Sequence, residues 1–217
     1  MKNLITVFAL FFGTVISLWS QNDHKPFQIA LFTPVQIVNQ DLSVHGFRLD
    51  ILYGENQDMV GFDIGIVNKT NGIQRGAQLG IVSITEGEFN GFRANFVNIG
   101  GGPMNGYATG TVNVIKGGSG YINGYVNVIE DNYSGLLTGM VNLQQAKQFK
   151  GAMMGFVNII ESPKDEVKDG KKKKRKGTQI GLVNITESMK GVQIGLVNIN
   201  KNARVKFCPF ILISKKS

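Results

Sequence analysis

The chain has 217 residues, enough for one large all-β domain or two small ones. It holds 28 glycines but only 5 prolines, nearly twice the ordinary glycine share of about 7%, which fits neither collagen nor Pro/Gly-rich disorder. The single cysteine, Cys208, excludes an intrachain disulfide framework, two histidines leave little for acid–base or metal chemistry, and the net charge is +8.

Residues 1–20 read as a secretory signal, with Lys2 as a positive start, an apolar run from Leu4 to Leu18 and the small residue Ser20 at the expected cleavage point. The run is about 15 residues, short of the ~20 that a membrane-spanning helix needs, and polar Gln21 to His24 follow at once. Export to the surface, outer membrane or periplasm of a Gram-negative bacterium is therefore expected. Residues 21–60 contain degenerate apolar stretches, Phe27 to Phe32 and Pro34 to Asn39, and are expected to be capping strands.

From residue 61 to 199 one pattern, Gly-x-x-x-Gly-x-Val-Asn, occurs nine times. Successive copies start 15, 15, 15, 14, 15 and 16 residues apart, then 26 across an interruption, then 14. The second glycine is Gly65, Gly80, Gly110, Gly124, Gly139, Gly155, Gly181 and Gly195; the third copy has Asn95 there. The asparagine is Asn68, Asn98, Asn113, Asn127, Asn142, Asn158, Asn184 and Asn198; the second copy has Ser83. Length varies only between this asparagine and the next glycine, where Asn71-Gly72, Glu86-Gly87 and Asp131-Asn132 are turn formers. Two glycines in eight residues would cost roughly 1 kcal/mol each in a helix, and apolar residues alternate, so the class is all-β.

Two architectures fit a repeat of about 15 residues. In a parallel β-solenoid each repeat is one coil, the glycines sit at corners or close approaches, and the asparagines form a ladder. Val at the seventh place and residues such as Ile84, Ile99 and Ile185 at the ninth would fill the interior, with Phe89, Met104, Tyr133, Phe149 and Met189 closing it. In the alternative, an antiparallel meander closes into a small outer-membrane-type barrel that would act as a pore, with Phe62, Ile64 and Ile66 facing lipid and Asp63, Gln78, Arg93, Gln179 and Gln193 lining the lumen. The solenoid is the leading expectation.

The interruption, residues 161–176, carries a net charge of +4. Lys171, Lys172, Lys173, Lys174, Arg175 and Lys176 make it the candidate contact for an anionic polysaccharide or lipid headgroups. No aromatic residues interleave with them for base stacking, so nucleic acid is not expected. Residues 200–217 read as a last apolar strand and a basic tail. No phosphate loop, zinc or nucleophile motif occurs, so neither a cofactor, a metal nor a small-molecule substrate is expected, and no catalytic residue is assigned.

The run Gly177-Thr-Gln-Ile-Gly181-Leu-Val-Asn184-Ile-Thr-Glu, followed by Gly191-Val-Gln-Ile-Gly195-Leu-Val-Asn198-Ile, lies behind a signal peptide. It resembles the exported surface-repeat proteins of Gram-negative bacteria, a leptospiral-type family with tandem Gly-x-Gln-x-Gly-Leu-Val-Asn units. The resemblance covers residues 61–199 and implies an exported protein without a catalytic set. The middle copies depart from it, with Arg93, Ala108, Ile122, Leu137 and Met153 in place of Gln. The expected function is a non-enzymatic surface scaffold, with a small outer-membrane barrel as the alternative.

Overall fold

The computed structural model describes residues 24–146, 148–162 and 174–215. Lys171, Lys172 and Lys173 of the candidate contact lie outside these residues, as do residues 1–20, expected to be a signal, and residues 216–217 of the expected basic tail. The described chain is all-β and winds into a parallel β-solenoid of about 11 turns.

Strands β1 (His24–Phe32) and β2 (Val35–Gln36) open the sheet as an antiparallel pair. They are followed by β3 (Ser43–Asn56), β4 (Met59–Thr70), β5 (Gln74–Thr85), β6 (Phe89–Ile129) and β7 (Tyr133–Gln145). Next come β8 (Gln148–Met154) with β9 (Val157–Glu161), then β10 (Lys174–Ile180) with β11 (Val183–Thr186), each pair making one coil. The chain ends in β12 (Lys190–Asn200) and β13 (Phe207–Ser214). From β3 to β12 each coil pairs parallel with the next, like residue on like: Gly61 on Gly76, Asn127 on Asn142, Gly177 on Gly191. This parallel stacking excludes the antiparallel barrel, because a meander would reverse direction at every turn. At the C-terminal end β13 turns back, pairing antiparallel with β12 and covering the open edge of the last coil, as β2 does with β1 at the other end.

The repeat's glycines follow from the stacking. At Gly120 φ is +131°, and an added Cβ would fall within the van der Waals radius of Gly106 O in the coil below. At the second glycine the same close approach recurs and the ladder adds to it: a Cβ on Gly139 would overlap Gly124 O of the coil below and also meet Asn127 Nδ2 at 2.8 Å.

The ladder itself is continuous from Asn98 to Asn198. Each side-chain amide donates to the oxygen of the next: Asn98 to Asn113 (2.7 Å), then on to Asn127 (2.8 Å), Asn142 (2.7 Å), Asn158 (2.8 Å), Asn184 (2.9 Å) and Asn198 (2.8 Å). The same amides also donate to a main-chain carbonyl of the neighbouring coil, as Asn127 does to Thr138 O at 2.9 Å. Each buried amide is thereby paired within the stack, as burial of a polar group demands.

Three expectations need correction. The solenoid starts before residue 61: β3 stacks on β4 with Gly46 on Gly61, and β1 stacks parallel on β3. This coil escaped the pattern because Asp50 and Gly54 exchange the sizes of the second glycine and the asparagine; a Cβ on Gly54 would land on the Asp50 carboxylate. The insertion is also shorter than 161–176, since Glu161 ends β9 and Lys174 begins β10. Finally, the valines of place seven and the residues of place nine do not fill the interior: Ile84 and Ile185 are half-buried and Ile99 is exposed. The interior is made by places three, eight and ten and by the residue two before the first glycine, where Phe89, Met104, Tyr133, Phe149 and Met189 are buried as expected.

The interior changes character along the axis. Place three carries Arg48, Asp63, Gln78 and Arg93 in the N-terminal coils, Ala108, Ile122, Leu137 and Met153 in the middle, and Gln179 and Gln193 near the C-terminus, all buried. One apolar cluster, including Phe89, Ile115, Ile122, Leu137, Phe149 and Met153, fills the middle. Burial of each large side chain there contributes about 1.5–3 kcal/mol.

Candidate functional site

Strand alternation that places residue three inside places two and four outside, and six lies outward beyond the corner. Place five is nearly always glycine, so rows four and six face each other across a flat floor and form a groove along the solenoid axis. In the N-terminal coils Ile66, Ile81 and Phe96 stand exposed in row six, with Phe62 and Phe92 exposed at place two; near the C-terminus Met154, Ile180 and Ile194 of row four and Phe156, Leu182 and Leu196 of row six are exposed. Only the middle is polar and aromatic. There Phe92 stacks on Tyr107 at 5.2 Å, Tyr107 meets Tyr121 edge-on at 5.2 Å, and the Thr138 hydroxyl lies 2.9 Å from both Tyr121 Oη and Asn123 Oδ1. The middle groove has a volume of about 550 Å³, lined by Phe96, Thr109, Thr111, Asn123, Tyr125 and neighbours. The C-terminal groove measures about 680 Å³ between Met154, Phe156, Ile180, Leu182, Ile194 and Leu196, and Phe210 and Ile211 of β13 close its end.

Inside and outside are thus reversed at both ends of the solenoid. The middle coils bury Ile and Leu and show Thr, Asn and Tyr to solvent. The end coils bury Gln, Asp and Arg and show Ile, Leu and Phe. The sorting of polar and apolar residues onto opposite faces was legible in the sequence, although it was attached to the barrel and not to the solenoid.

The ionisable groups of the N-terminal interior are paired or enclosed. Arg48 donates to Asp63 through Nε (2.8 Å) and Nη2 (2.7 Å), and its Nε lies 3.1 Å from Asp50 Oδ2. Burial pushes the Asp50 carboxyl up to about 7, opposed by the Arg48 charge and reinforced by Asp63. Arg93 is fully buried without a hydrogen-bond partner, over the Phe89 ring at 3.7 Å from its centroid, and burial lowers its guanidinium to about 9. These groups face the inside of closed coils and not the groove. Among the described residues no group of three or more His, Cys, Asp or Glu is placed to hold a metal ion.

The basic candidates divide. Arg175 is turned inward, two residues before the first glycine of its coil, and is 1% exposed. It donates to Ala146 O at 2.7 Å, Glu161 O at 2.9 Å and the Ser162 hydroxyl at 3.1 Å, and its Nη1 lies 3.5 Å from Glu187 Oε2. It therefore closes the interior beside the insertion and is no surface contact, as the run of lysines around it had suggested. Lys174 lies on β10, stacked on Gln148, and Lys176 is exposed.

Sequence reasoning missed the partners of Lys176. Register places Lys150 directly below it and Lys190 directly above, all three exposed, in one row four residues before Met154, Ile180 and Ile194 on the same strands, with the row Ala152, Thr178 and Val192 between. The signal was present: each lysine immediately precedes the first glycine of its repeat, at Gly151, Gly177 and Gly191. No family model, no curated protein and no solved structure matches the chain.

Proposed function

We propose that the chain is an exported, non-enzymatic interaction scaffold of a Gram-negative cell envelope. The observation that carries this reading is the outward rows of Ile, Leu, Met and Phe toward the ends of the solenoid, which in the coils of Asp63, Gln78, Gln179 and Gln193 lie over a buried polar side chain. A soluble monomer rarely leaves a contiguous apolar surface beyond a few hundred Å², so such rows mark a contact surface. Rigid coils in register hold the rows at the spacing of about 4.8 Å set by strand pairing, which suits an extended partner. The leader-like residues 1–20 support export, and the basic insertion would add attraction to anionic polysaccharide or lipid headgroups.

Fractionation of cells making the full chain tests the reading. Wild type should be recovered with the envelope. A Phe96→Ser, Phe156→Ser, Leu196→Ser variant, altered only at exposed side chains, should keep its β-sheet circular dichroism and pass into the soluble fraction. Recovery of the wild-type chain in the cytoplasm, or unchanged envelope association of the variant, would overturn it.

A further inference from the structure

We infer that the C-terminal third of the solenoid docks on an anionic lipid bilayer, through the lysine row Lys150, Lys176 and Lys190 together with the apolar rows beside it. The inference rests on the scaffold reading and names its partner.

Three observations converge on this face. The first is the lysine row. Parallel in-register pairing stacks Lys176 on Lys150 and Lys190 on Lys176, a strand spacing of about 4.8 Å apart, and none of the three forms an ion pair among the described residues. Like charges directly opposite each other destabilise a sheet, so an exposed ladder of them is favoured only when a polyanion lies across it.

The second is the polarity of the same coils. The coils of Lys176 and Lys190 bury Gln179 and Gln193, with Gln193 Nε2 donating to Gln179 Oε1 at 2.8 Å, and show Ile180, Leu182, Ile194 and Leu196 to the outside, and the coil of Lys150 shows Met154 and Phe156. Leu196 is 58% exposed. The third is Phe210, which sits at the end of the groove at φ +69° and is 68% exposed. A bulky residue in the left-handed region is a genuine outlier, and such strain collects at contact sites.

The charge fixes the occupant. A second copy docked through the same face would bring lysine row against lysine row, in a chain that already carries +8. An acidic polysaccharide would satisfy the lysines but leave the Ile, Leu and Phe rows in water. A bilayer containing anionic phospholipid satisfies both: ammonium groups at the headgroups, apolar side chains in the acyl boundary.

The test is co-sedimentation of the full chain with vesicles of phosphatidylcholine, with and without phosphatidylglycerol, at low and high salt. Binding is expected only with phosphatidylglycerol and should weaken with salt. Lys150→Ser, Lys176→Ser, Lys190→Ser together should weaken it about a hundredfold, each lysine near an anionic surface contributing roughly a factor of five. The variant should melt no lower than wild type, because a like-charge ladder has been removed, so loss of binding will not reflect loss of fold. Leu182→Ser with Leu196→Ser should lose vesicle binding with all three lysines intact. Wild-type binding by either variant overturns the proposal. So does binding to dextran sulfate without binding to anionic vesicles, which would leave the scaffold reading standing with a polysaccharide partner. Envelope retention of wild type with no vesicle binding separates the two readings in the same way.

Discussion

Asn127 stands in the middle of the asparagine ladder, and its removal measures what the ladder contributes. Its amide donates to Asn142 Oδ1 at 2.7 Å and to Thr138 O at 2.9 Å, and its own oxygen accepts from Asn113 Nδ2 at 2.8 Å. In Asn127→Ala all three bonds go, and Asn142 Oδ1 is left buried without its donor. Asn113 Nδ2 keeps its bond to Asn123 O at 3.0 Å. A lost hydrogen bond costs about 1 kcal/mol net and a stranded buried acceptor about 1–3, so the variant should lose about 3–5 kcal/mol. That is a large share of the 5–15 kcal/mol typical of a domain. Urea unfolding followed by far-ultraviolet circular dichroism reads the loss. Asn127→Asp should cost still more at neutral pH, because a carboxylate oxygen would then face Asn142 Oδ1 and Thr138 O where an N–H is needed. A loss below about 1 kcal/mol for Asn127→Ala would refute the view that the ladder stabilises the stack.

Two further outcomes follow from the interior. The ladder is interrupted at Ser83, and Asn95 replaces the second glycine in the next coil, where its Nδ2 donates to Asn98 Oδ1 at 2.9 Å. Ser83→Asn alone should therefore clash and Asn95→Gly alone should leave a void, each costing about 1–3 kcal/mol, whereas the double variant restores the repeat and should be closer to wild type than the sum. Additive losses in urea would dismiss the exchange. Asp50 has a folded value of about 7 against 3.8 unfolded, so between these limits the folded chain binds the additional proton. Its contribution to stability falls as pH rises from about 4 to about 7 and stays lower above, a change of at most about 4 kcal/mol. The difference in unfolding free energy between wild type and Asp50→Asn, measured at pH 5 and pH 8, should shift in favour of the variant at the higher pH; a pH-independent difference would show that Asp50 ionises normally.

Much of the fold could be read in the chain itself. The spacing of glycine and asparagine gave coil length, turn position and the ladder, because a parallel stack places the same residue in the same environment in every coil and repetition is its direct trace. One coil went unread where an exchange of sizes broke the pattern, Asp50 with Gly54, whereas the exchange of Ser83 with Asn95 across two coils left both copies recognisable. Contact between coils sees volume, while a pattern search sees residue names. The contact surface was less legible. The basic run drew attention to residues 171–176, yet Arg175 points inward, and the exposed row is Lys150, Lys176 and Lys190, drawn from three repeats 14 to 26 residues apart.

The sequence alone determined an all-β repeat with an eight-residue frame, since only local alternation and turn chemistry are needed to specify it. It also separated polar from apolar residues onto two faces. Which face turns inward was decided by the tertiary structure: parallel closure put places three, eight and ten inside, the asparagine amides among them, and in the end coils that left the Ile, Leu and Phe of places four and six outside. Alternation fixes that two faces differ, and only the direction in which the coil closes fixes which one meets water.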